Sequence, residues 1–160
     1  DFPGGLKDLN TANPEVVDAL IDVFKYWITE TNIDGYRIDT VKHIEHAFWQ
    51  QFCPSIRQHC KDLGKERFLM FGEVFDGDDE LLGSYTFDEE LDSVFYFSHK
   101  FQVFDDVFRN GQPTKKIEEL YQQRLQHFDG TPHTDGIGVA PQQALVDLMG
   151  RELKRENFGF

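Results

Sequence analysis

The sequence predicts an α/β fold with parallel strands, and two observations indicate it. Helical and strand-like patterns alternate along the first half of the chain, as they do in α/β architectures. The second predicted strand, RFLMFGEVF, is apolar in the way of strands that are buried on both faces of a parallel sheet. Such a strand needs helices on both faces of its sheet, and the predicted helices before and after the strands can cover those faces.

The first helix is predicted over about residues 14–31, after a loop rich in Gly, Asp and Asn. Asn13 followed by Pro14 fits an N-cap and a first-turn proline, and Glu15 places a carboxylate in that turn. Apolar side chains then recur at helical spacing, namely Val16, Val17, Leu20, Ile21, Phe24, Trp27 and Ile28.

A short strand, IDGYRIDTV, follows this helix and is entered through the turn-forming pair Asp34 and Gly35. Period-two alternation predicts that Arg37, Asp39 and Val41 share one face of the strand. The other face would carry Tyr36, Ile38 and Thr40.

The second helix is predicted over about residues 45–63, with Gly64 placed to end it. Its apolar face would carry Phe48, Phe52, Ile56 and Cys60. After the apolar strand, a loop is predicted for DGDDELLGSYTFDEE. The aromatic run SVFYFSHKFQVFDDVF fits either a strand running into a helix or one long helix. Another helix is predicted for PTKKIEELYQQRLQHF, and the remaining residues are predicted to form a loop and a last helix.

Composition excludes several classes of function. The chain has 160 residues, with 16 Lys+Arg against 29 Asp+Glu and a net charge of −13. This acidic balance argues against nucleic-acid binding, which depends on neutralising phosphates. No apolar run approaches the roughly 18–20 residues that a membrane span needs, so neither nucleic acid nor membrane insertion is expected.

Two carboxylates follow the two predicted strands. Arg37 beside Asp39 should lower the pKa of that carboxyl, which suits a nucleophile, although an isolated R-x-D more often forms a structural ion pair. Glu73 comes directly after the apolar strand, where desolvation would raise its pKa and suit a general acid, although a solvent-facing Gly-Glu turn is the simpler alternative. Because parallel strands place both residues at the carboxyl edge of the sheet, the pair matches the two carboxylates of glycoside hydrolysis.

Two motifs then resemble a known family. DGYRIDTVKH is similar to the fourth-strand motif of the α-amylase family of glycoside hydrolases, and FGEVF to its fifth-strand motif. The resemblance runs from about Asp8 to about Leu145. It implies part of a (β/α)8 TIM barrel, about strands four to six with their helices, because a complete barrel takes about 250 residues. Residues 1–160 would form one segment of that catalytic domain, and residues 146–160 depart from the family pattern.

The resemblance also implies roles for single residues. Asp39 would be the nucleophile, Glu73 the general acid/base, and Arg37 the residue that keeps Asp39 ionised and oriented. Lys42 and His43 would line glucose-binding subsites. The upstream KDLN segment resembles a calcium-binding loop of the family, so that Asp8 and the backbone carbonyl of His43 would be ligands of a structural Ca²⁺.

The implied activity is retaining hydrolysis of α-1,4-glucosidic bonds in starch, glycogen or maltooligosaccharides, with an α-glucan as the partner. Such an enzyme would be extracellular or periplasmic, although the opening DFPGG has no features of a secretory signal. The sequence leaves the oligomeric state open.

The family's third acid, in an F-x-x-x-H-D motif, has no counterpart. Asp147 lacks the preceding His, and His133 and Asp135 lie too early, in a predicted loop. The alternatives are therefore a non-catalytic sugar-binding or relic member of the family, and an unrelated acidic α/β domain in which both motifs arose by coincidence.

Overall fold

The computed structural model describes residue 5, residues 7–124 and residues 126–127. The α-helices are α1 (Pro14–Thr31), α2 (His46–Asp62), α3 (Asp79–Ser84) and α4 (Lys115–Arg124), and the strands are β1 (Gly35–Ile38), β2 (Leu69–Gly72) and β3 (Ser93–Val94). A 3-10 helix spans Val41–His43 and a π-helix spans His99–Arg109. None of the helices in this part of the chain combines the length and apolarity that a membrane crossing requires.

The first helix begins and ends where its sequence predicts. The side chain of Asn13 accepts a hydrogen bond from the amide of Glu15 at 3.0 Å, and Pro14 occupies the first turn. At the other end, Asn32 adopts the left-handed conformation with φ of 53°, and its amide donates to the Ile28 carbonyl. Both caps are local, so the helix bounds follow from short stretches of sequence.

The three strands form a parallel sheet in the order β1-β2-β3, which confirms the predicted α/β class. The register pairs Gly35 with Leu69 and Ile38 with Gly72, so β1 and β2 end at the same level. In the described residues this sheet is open and does not close into a barrel. Its carboxyl edge is where the two motifs meet.

Helix α2 supplies much of the core. The side chains of Phe48, Phe52, Ile56 and Cys60 are all buried, as their spacing predicts. Gly64 follows the helix with a φ of +75°, in the left-handed region that favours glycine, and so ends it as predicted.

The first predicted strand was too long. Strand β1 ends at Ile38, and Thr40 adopts a left-handed conformation with φ of 55°. The chain turns there into the short 3-10 helix, which buries Val41 completely. The predicted sharing of one strand face by Arg37, Asp39 and Val41 therefore fails at Val41, because the period of two stops where the strand stops.

The segment after β2 is not only a loop. It contains α3, whose N-cap Asp78 accepts a hydrogen bond from the amide of Glu80 at 2.9 Å. The aromatic run after it follows the first of its two alternatives, a strand that leads into a helix, here β3 followed by the π-helix. The expectations for residues 128–160, including the divergence of 146–160, lie outside the described residues.

Candidate active site

The two carboxylates lie side by side at the carboxyl edge of the sheet. Asp39 is the first residue after β1 and Glu73 the first after β2. The amide of Glu73 donates to the Ile38 carbonyl at 2.8 Å, and the Glu73 carbonyl accepts from the Val41 amide at 3.0 Å. Backbone hydrogen bonding thus continues beyond the strands and fixes the backbone positions from which both carboxylate side chains extend.

Side chains pack closely against the backbone of Gly72, just before Glu73. A Cβ atom on Gly72 would lie 2.6 Å from side-chain carbons of both Val41 and Leu91. Those buried side chains would have to shift to admit it, so the Gly-Glu pair in FGEVF has a packing reason as well as a chemical one.

The guanidinium of Arg37 binds both carboxylates. Its Nη1 lies 2.9 Å from Asp39 Oδ1, and its Nη2 lies 3.1 Å from Glu73 Oε2. The Asp39 side chain is 63% exposed and that of Glu73 23% exposed. The guanidinium also lies 5.8 Å from the ring centroid of Phe95, which directly follows β3. Arg37 therefore contacts the residue that directly follows each of the three strands, and it leaves both carboxylates accessible.

The two carboxyl groups also interact with each other. A hydrogen bond between them is the largest influence on both, because it raises the pKa of Glu73 and lowers the pKa of Asp39. Burial and the negative charge of Asp39 raise the pKa of Glu73 further, and the positive charge of Arg37 favours ionisation of both groups. The predicted directions agree with these shifts, but the leading cause is the partner carboxyl rather than desolvation or Arg37.

Lys42 reaches across to the segment that follows β2. Its Nζ donates to the carbonyl of Phe75 at 2.7 Å and binds Asp76 Oδ2 at 3.2 Å. The sequence predicts Asp76 only as part of a loop and does not indicate this pairing. The Asp-Gly-Asp run after the strand is typical of a side-chain-capped turn, but it does not indicate Lys42 as a partner.

His43 and Asp8 line a cavity of about 420 Å³ beside β1. Arg37 and Asp39 also line it, so the cavity adjoins the carboxylate pair and lies in the size range of small-molecule sites. The loop that carries Asp8 is held to the start of α2 by a hydrogen bond from Thr11 Oγ1 to a Glu45 carboxylate oxygen at 2.7 Å.

The two residues that the resemblance assigns to calcium therefore share one cavity. Calcium takes about six to eight oxygen ligands. Across the described residues, no group of three or more His, Cys, Asp or Glu side chains is arranged to hold a metal ion. The Asp8 carboxylate and the His43 carbonyl would supply only part of a calcium shell.

His133, Asp135 and Asp147, which the sequence analysis set aside as candidates for the third acid, lie outside the described residues.

Comparison with known proteins identifies the family. The sequence profile of the alpha-amylase catalytic domain matches residues 1–135. An alpha-amylase of Streptomyces lividans is 39% identical over 97 residues, which cover 61% of this chain and 10% of that protein. A beta/alpha-amylase of Paenibacillus polymyxa is 36% identical over 137 residues, which cover 84% of this chain and again 10% of the relative.

Superposition on solved structures identifies the same family. The alpha-amylase of Geobacillus thermoleovorans, determined in complex with acarbose, superposes with a TM-score of 0.68 at 32% identity, covering 80% of this chain and 27% of that one. An Anoxybacillus alpha-amylase gives a TM-score of 0.66 at 33% identity, covering 78% of this chain and 26% of that one.

The chain thus spans about a tenth of the length of these curated relatives and about a quarter of these solved chains. The predicted relationship and TIM-barrel class are confirmed by the profile match together with the superpositions. The chain belongs to the alpha-amylase catalytic-domain family, of which it represents a barrel segment that carries two strand-end carboxylates.

Proposed function

We propose that the complete protein is a retaining glycosidase that hydrolyses α-1,4-glucosidic bonds of starch, glycogen or maltooligosaccharides. The observation that carries this proposal is the pair of carboxyl groups, Asp39 and Glu73, bound by one guanidinium at the ends of adjacent strands. The curated relatives named as amylases and cyclomaltodextrinases support the substrate class.

The directions of the two pKa shifts support this division of roles. The raised pKa of Glu73 makes it the member of the pair that holds a proton more readily, and the lowered pKa of Asp39 favours its carboxylate form. Glu73 then donates its proton to the glycosidic oxygen as Asp39 attacks the anomeric carbon and the leaving sugar departs. In the second step Glu73 takes a proton from water, whose oxygen displaces Asp39 from the sugar.

The separation of the carboxyl groups supports retention of configuration. Retaining enzymes hold the two groups about 5–5.5 Å apart, whereas inverting enzymes leave about 6.5–9.5 Å for a water molecule. Asp39 and Glu73 bind adjacent nitrogens of one guanidinium, at 2.9 Å and 3.1 Å, so the two carboxyl groups lie close together. This supports direct attack by Asp39.

We also propose that Ca²⁺ binds beside the site, with the Asp8 carboxylate and the His43 carbonyl among its oxygen ligands. Both residues line the same cavity, which supports this. The ion would be structural, because it would hold the loop before α1 against the start of α2. His43, together with Lys42, would also line the glucose-binding subsites at this edge.

The test is to incubate the complete protein with maltoheptaose and to follow new reducing ends, with the anomeric configuration read by proton NMR before mutarotation. We expect release of reducing ends with the α-anomer formed first. Initial formation of the β-anomer would contradict retention. Binding of maltoheptaose without any release would contradict the enzymatic function and favour a sugar-binding member of the family.

A further inference from the structure

Each of the three strands is followed directly by one residue at the carboxyl edge of the sheet. Asp39 follows β1, Glu73 follows β2 and Phe95 follows β3. Backbone hydrogen bonds join these positions, because the Glu73 amide donates to the Ile38 carbonyl at 2.8 Å and the Phe95 amide donates to the Gly72 carbonyl at 3.0 Å. The three residues therefore form one row, made of two carboxylates and one aromatic ring, whose backbone positions are set by the sheet.

Arg37 contacts every member of this row. Its terminal nitrogens bind Asp39 at 2.9 Å and Glu73 at 3.1 Å, and its guanidinium carbon lies 5.8 Å from the centroid of the Phe95 ring. A cation at this distance is attracted to the negative face of an aromatic ring. Because the N–H groups of a guanidinium lie in its plane, one arginine can bind carboxylates and contact a ring at the same time.

The Phe95 ring has a defined place beside Arg37. It meets the Phe71 ring, which belongs to β2, at a centroid distance of 5.2 Å and an interplanar angle of 88°, and the Phe97 ring at 5.9 Å and 60°. Aromatic rings favour such edge-to-face contacts. The Phe97 amide also donates to the Phe95 carbonyl at 2.9 Å. Two neighbouring rings and the backbone thus hold the ring against the guanidinium.

Arg37 needs support of this kind because 46% of its side chain is exposed. Exposed ion pairs are weakened by water and by the entropy that a long side chain loses when it is held in one geometry. An aromatic ring against the guanidinium displaces water from that side and restricts the conformations of the side chain. Both effects strengthen the contacts of Arg37 with Asp39 and Glu73.

We propose that Phe95 is a positioning residue for the reaction, which holds the guanidinium of Arg37 between Asp39 and Glu73. This inference rests on the proposed glycosidase function. Because a displacement of about 1 Å can slow a reaction about 10²-fold, a residue that acts only through Arg37 can change kcat without touching the sugar.

The pH profile should respond to the ring as well. The charge of Arg37 lowers the pKa of both carboxyl groups, so a displaced guanidinium should leave both pKa values higher. The other charged or titratable groups around the site, in the described residues, are Lys7, Asp8, His43 and Glu45, which line the adjoining cavity, and the Lys42–Asp76 pair after β2. A substitution at Phe95 changes none of these charges, so a shift of both limbs reports on Arg37.

A second cation–ring pair provides a matched control. Lys100 Nζ lies 4.1 Å from the centroid of the Phe101 ring, and the same ammonium binds Asp105 at 2.6 Å. The chemistry is alike, since a cation lies on a phenylalanine ring and is paired with an aspartate. This pair belongs to the π-helix, and neither Asp39 nor Glu73 is part of it.

The experiment compares Phe95→Leu, Phe95→Tyr, Arg37→Met, the double variant of Phe95→Leu with Arg37→Met, and the control Phe101→Leu. The complete protein is used, with maltoheptaose as substrate over a range of pH. We expect Phe95→Leu to lower kcat about 10-fold with KM changed less than about 2-fold. It should also move both limbs of the kcat/KM profile to higher pH, by less than Arg37→Met does, because the cation remains but is held less firmly.

The other variants test whether the ring acts through the arginine. Phe95→Tyr keeps the ring and should recover most of kcat. The double variant should be no slower than Arg37→Met alone, since the ring then has no guanidinium to hold. Phe101→Leu should keep kcat within about 2-fold of the wild type and leave both limbs in place.

Other kinetic outcomes would overturn the proposal. If Phe95→Leu slows the Arg37→Met enzyme by the same factor as the wild type, the ring acts independently of Arg37. If Phe95→Leu raises KM at unchanged kcat, the ring is a sugar ligand. If neither the rate nor the pH profile changes, the ring has no role in the reaction.

A second substitution covers the case in which Phe95→Leu does not fold. Phe95→pentafluorophenylalanine keeps an aromatic ring of similar shape but removes the negative charge from its face. We expect the same direction of change in kcat and in both limbs. Wild-type kinetics in this variant would overturn the proposal.

A crystallographic comparison separates this proposal from the proposed function. If the wild-type protein releases no reducing ends, the glycosidase function fails, and Phe95 is judged by crystal structures of the wild type and Phe95→Leu. We expect Arg37 to leave at least one of its two carboxylates in the variant. Unchanged contacts of Arg37 with both Asp39 and Glu73 would overturn the proposal whatever the activity.

Discussion

Two arginine–aspartate pairs of equal length lie in very different surroundings. Arg37 and Asp39 meet at 2.9 Å with 46% and 63% of their side chains exposed, whereas Arg57 and Asp92 meet at 2.9 Å with 9% and 8% exposed. The first pair lies at the carboxyl end of β1. The second joins α2 to the residue that enters β3.

The buried pair makes further hydrogen bonds with its surroundings. The second oxygen of Asp92 accepts the Met70 amide at 2.7 Å, and Arg57 donates to the carbonyls of Glu89 and Glu90 as well. A network this buried ties α2 to the sheet and offers no oxygen to a substrate. The exposed pair, in contrast, shares its arginine with Glu73 and faces open space. Equal ion-pair geometry is therefore buried in the packing at one edge of the sheet and open to solvent at the other, which is the edge that carries the active site in α/β barrels.

The largest expected effect is on activity, and it concerns only the exposed pair and its neighbour Glu73. In the complete protein, Asp39→Asn and Glu73→Gln should each lower kcat for maltoheptaose by at least about 10²- to 10⁴-fold, because each removes a reacting group. The thermal midpoint should not fall, since both side chains are accessible and neither is part of the core. Near-wild-type turnover in either variant would show that the substituted residue is not a reacting group.

The next largest effect is on stability, and it concerns the buried pair. Arg57→Met should lower the free energy of unfolding by about 3–5 kcal/mol, because it leaves the Asp92 carboxylate buried without its charge partner. Urea denaturation measures this change. Because Arg57 is remote from both carboxylates, kcat of the folded protein should stay near the wild-type value. A stability loss below about 1 kcal/mol would show that the buried pair does not hold α2 to the sheet.

Removing Arg37 should shift the pH profile. The reaction requires ionised Asp39 and protonated Glu73, so kcat/KM rises with pH as Asp39 loses its proton and falls as Glu73 loses its own. The charge of Arg37 lowers the pKa of both groups. In Arg37→Met, both limbs of the profile should therefore move to higher pH, besides any loss of rate. A shift of either limb to lower pH would contradict this account of the pair.

The smallest effect concerns Lys65. The Lys65→Met variant should cost at most about 1 kcal/mol in free energy of unfolding, because its partner Asp34 is 87% exposed and water screens the pair. Chemical denaturation of the variant beside the wild type measures it. A much larger cost would mean that the contact with the Asn32 carbonyl, rather than the ion pair, holds this edge.

The sequence predicted what depends on neighbouring residues. The bounds of α1 follow from Asn13, Pro14 and the chain around Asn32, and the parallel arrangement follows from the apolar second strand. The two carboxylates could be placed at one sheet edge because each directly follows its strand.

What the sequence did not predict depends on residues far apart in the chain. Lys42 and Asp76 are 34 positions apart, and no local pattern pairs them. The pKa of Glu73 was expected to rise by burial, but its leading cause is Asp39, whose distance from Glu73 is set by the sheet register. The early end of β1 comes from the left-handed turn at Thr40, a residue type that rarely adopts it.

The most direct test of the central claim, that the exposed pair performs the chemistry, is to trap the covalent intermediate. The complete protein would be treated with a 5-fluoro-α-glucosyl fluoride and digested, and the labelled peptide would be sequenced by mass spectrometry. We expect one sugar attached to the carboxylate of Asp39. A sugar on any other carboxylate, or none on an enzyme that is active and inhibited by the reagent, would contradict it.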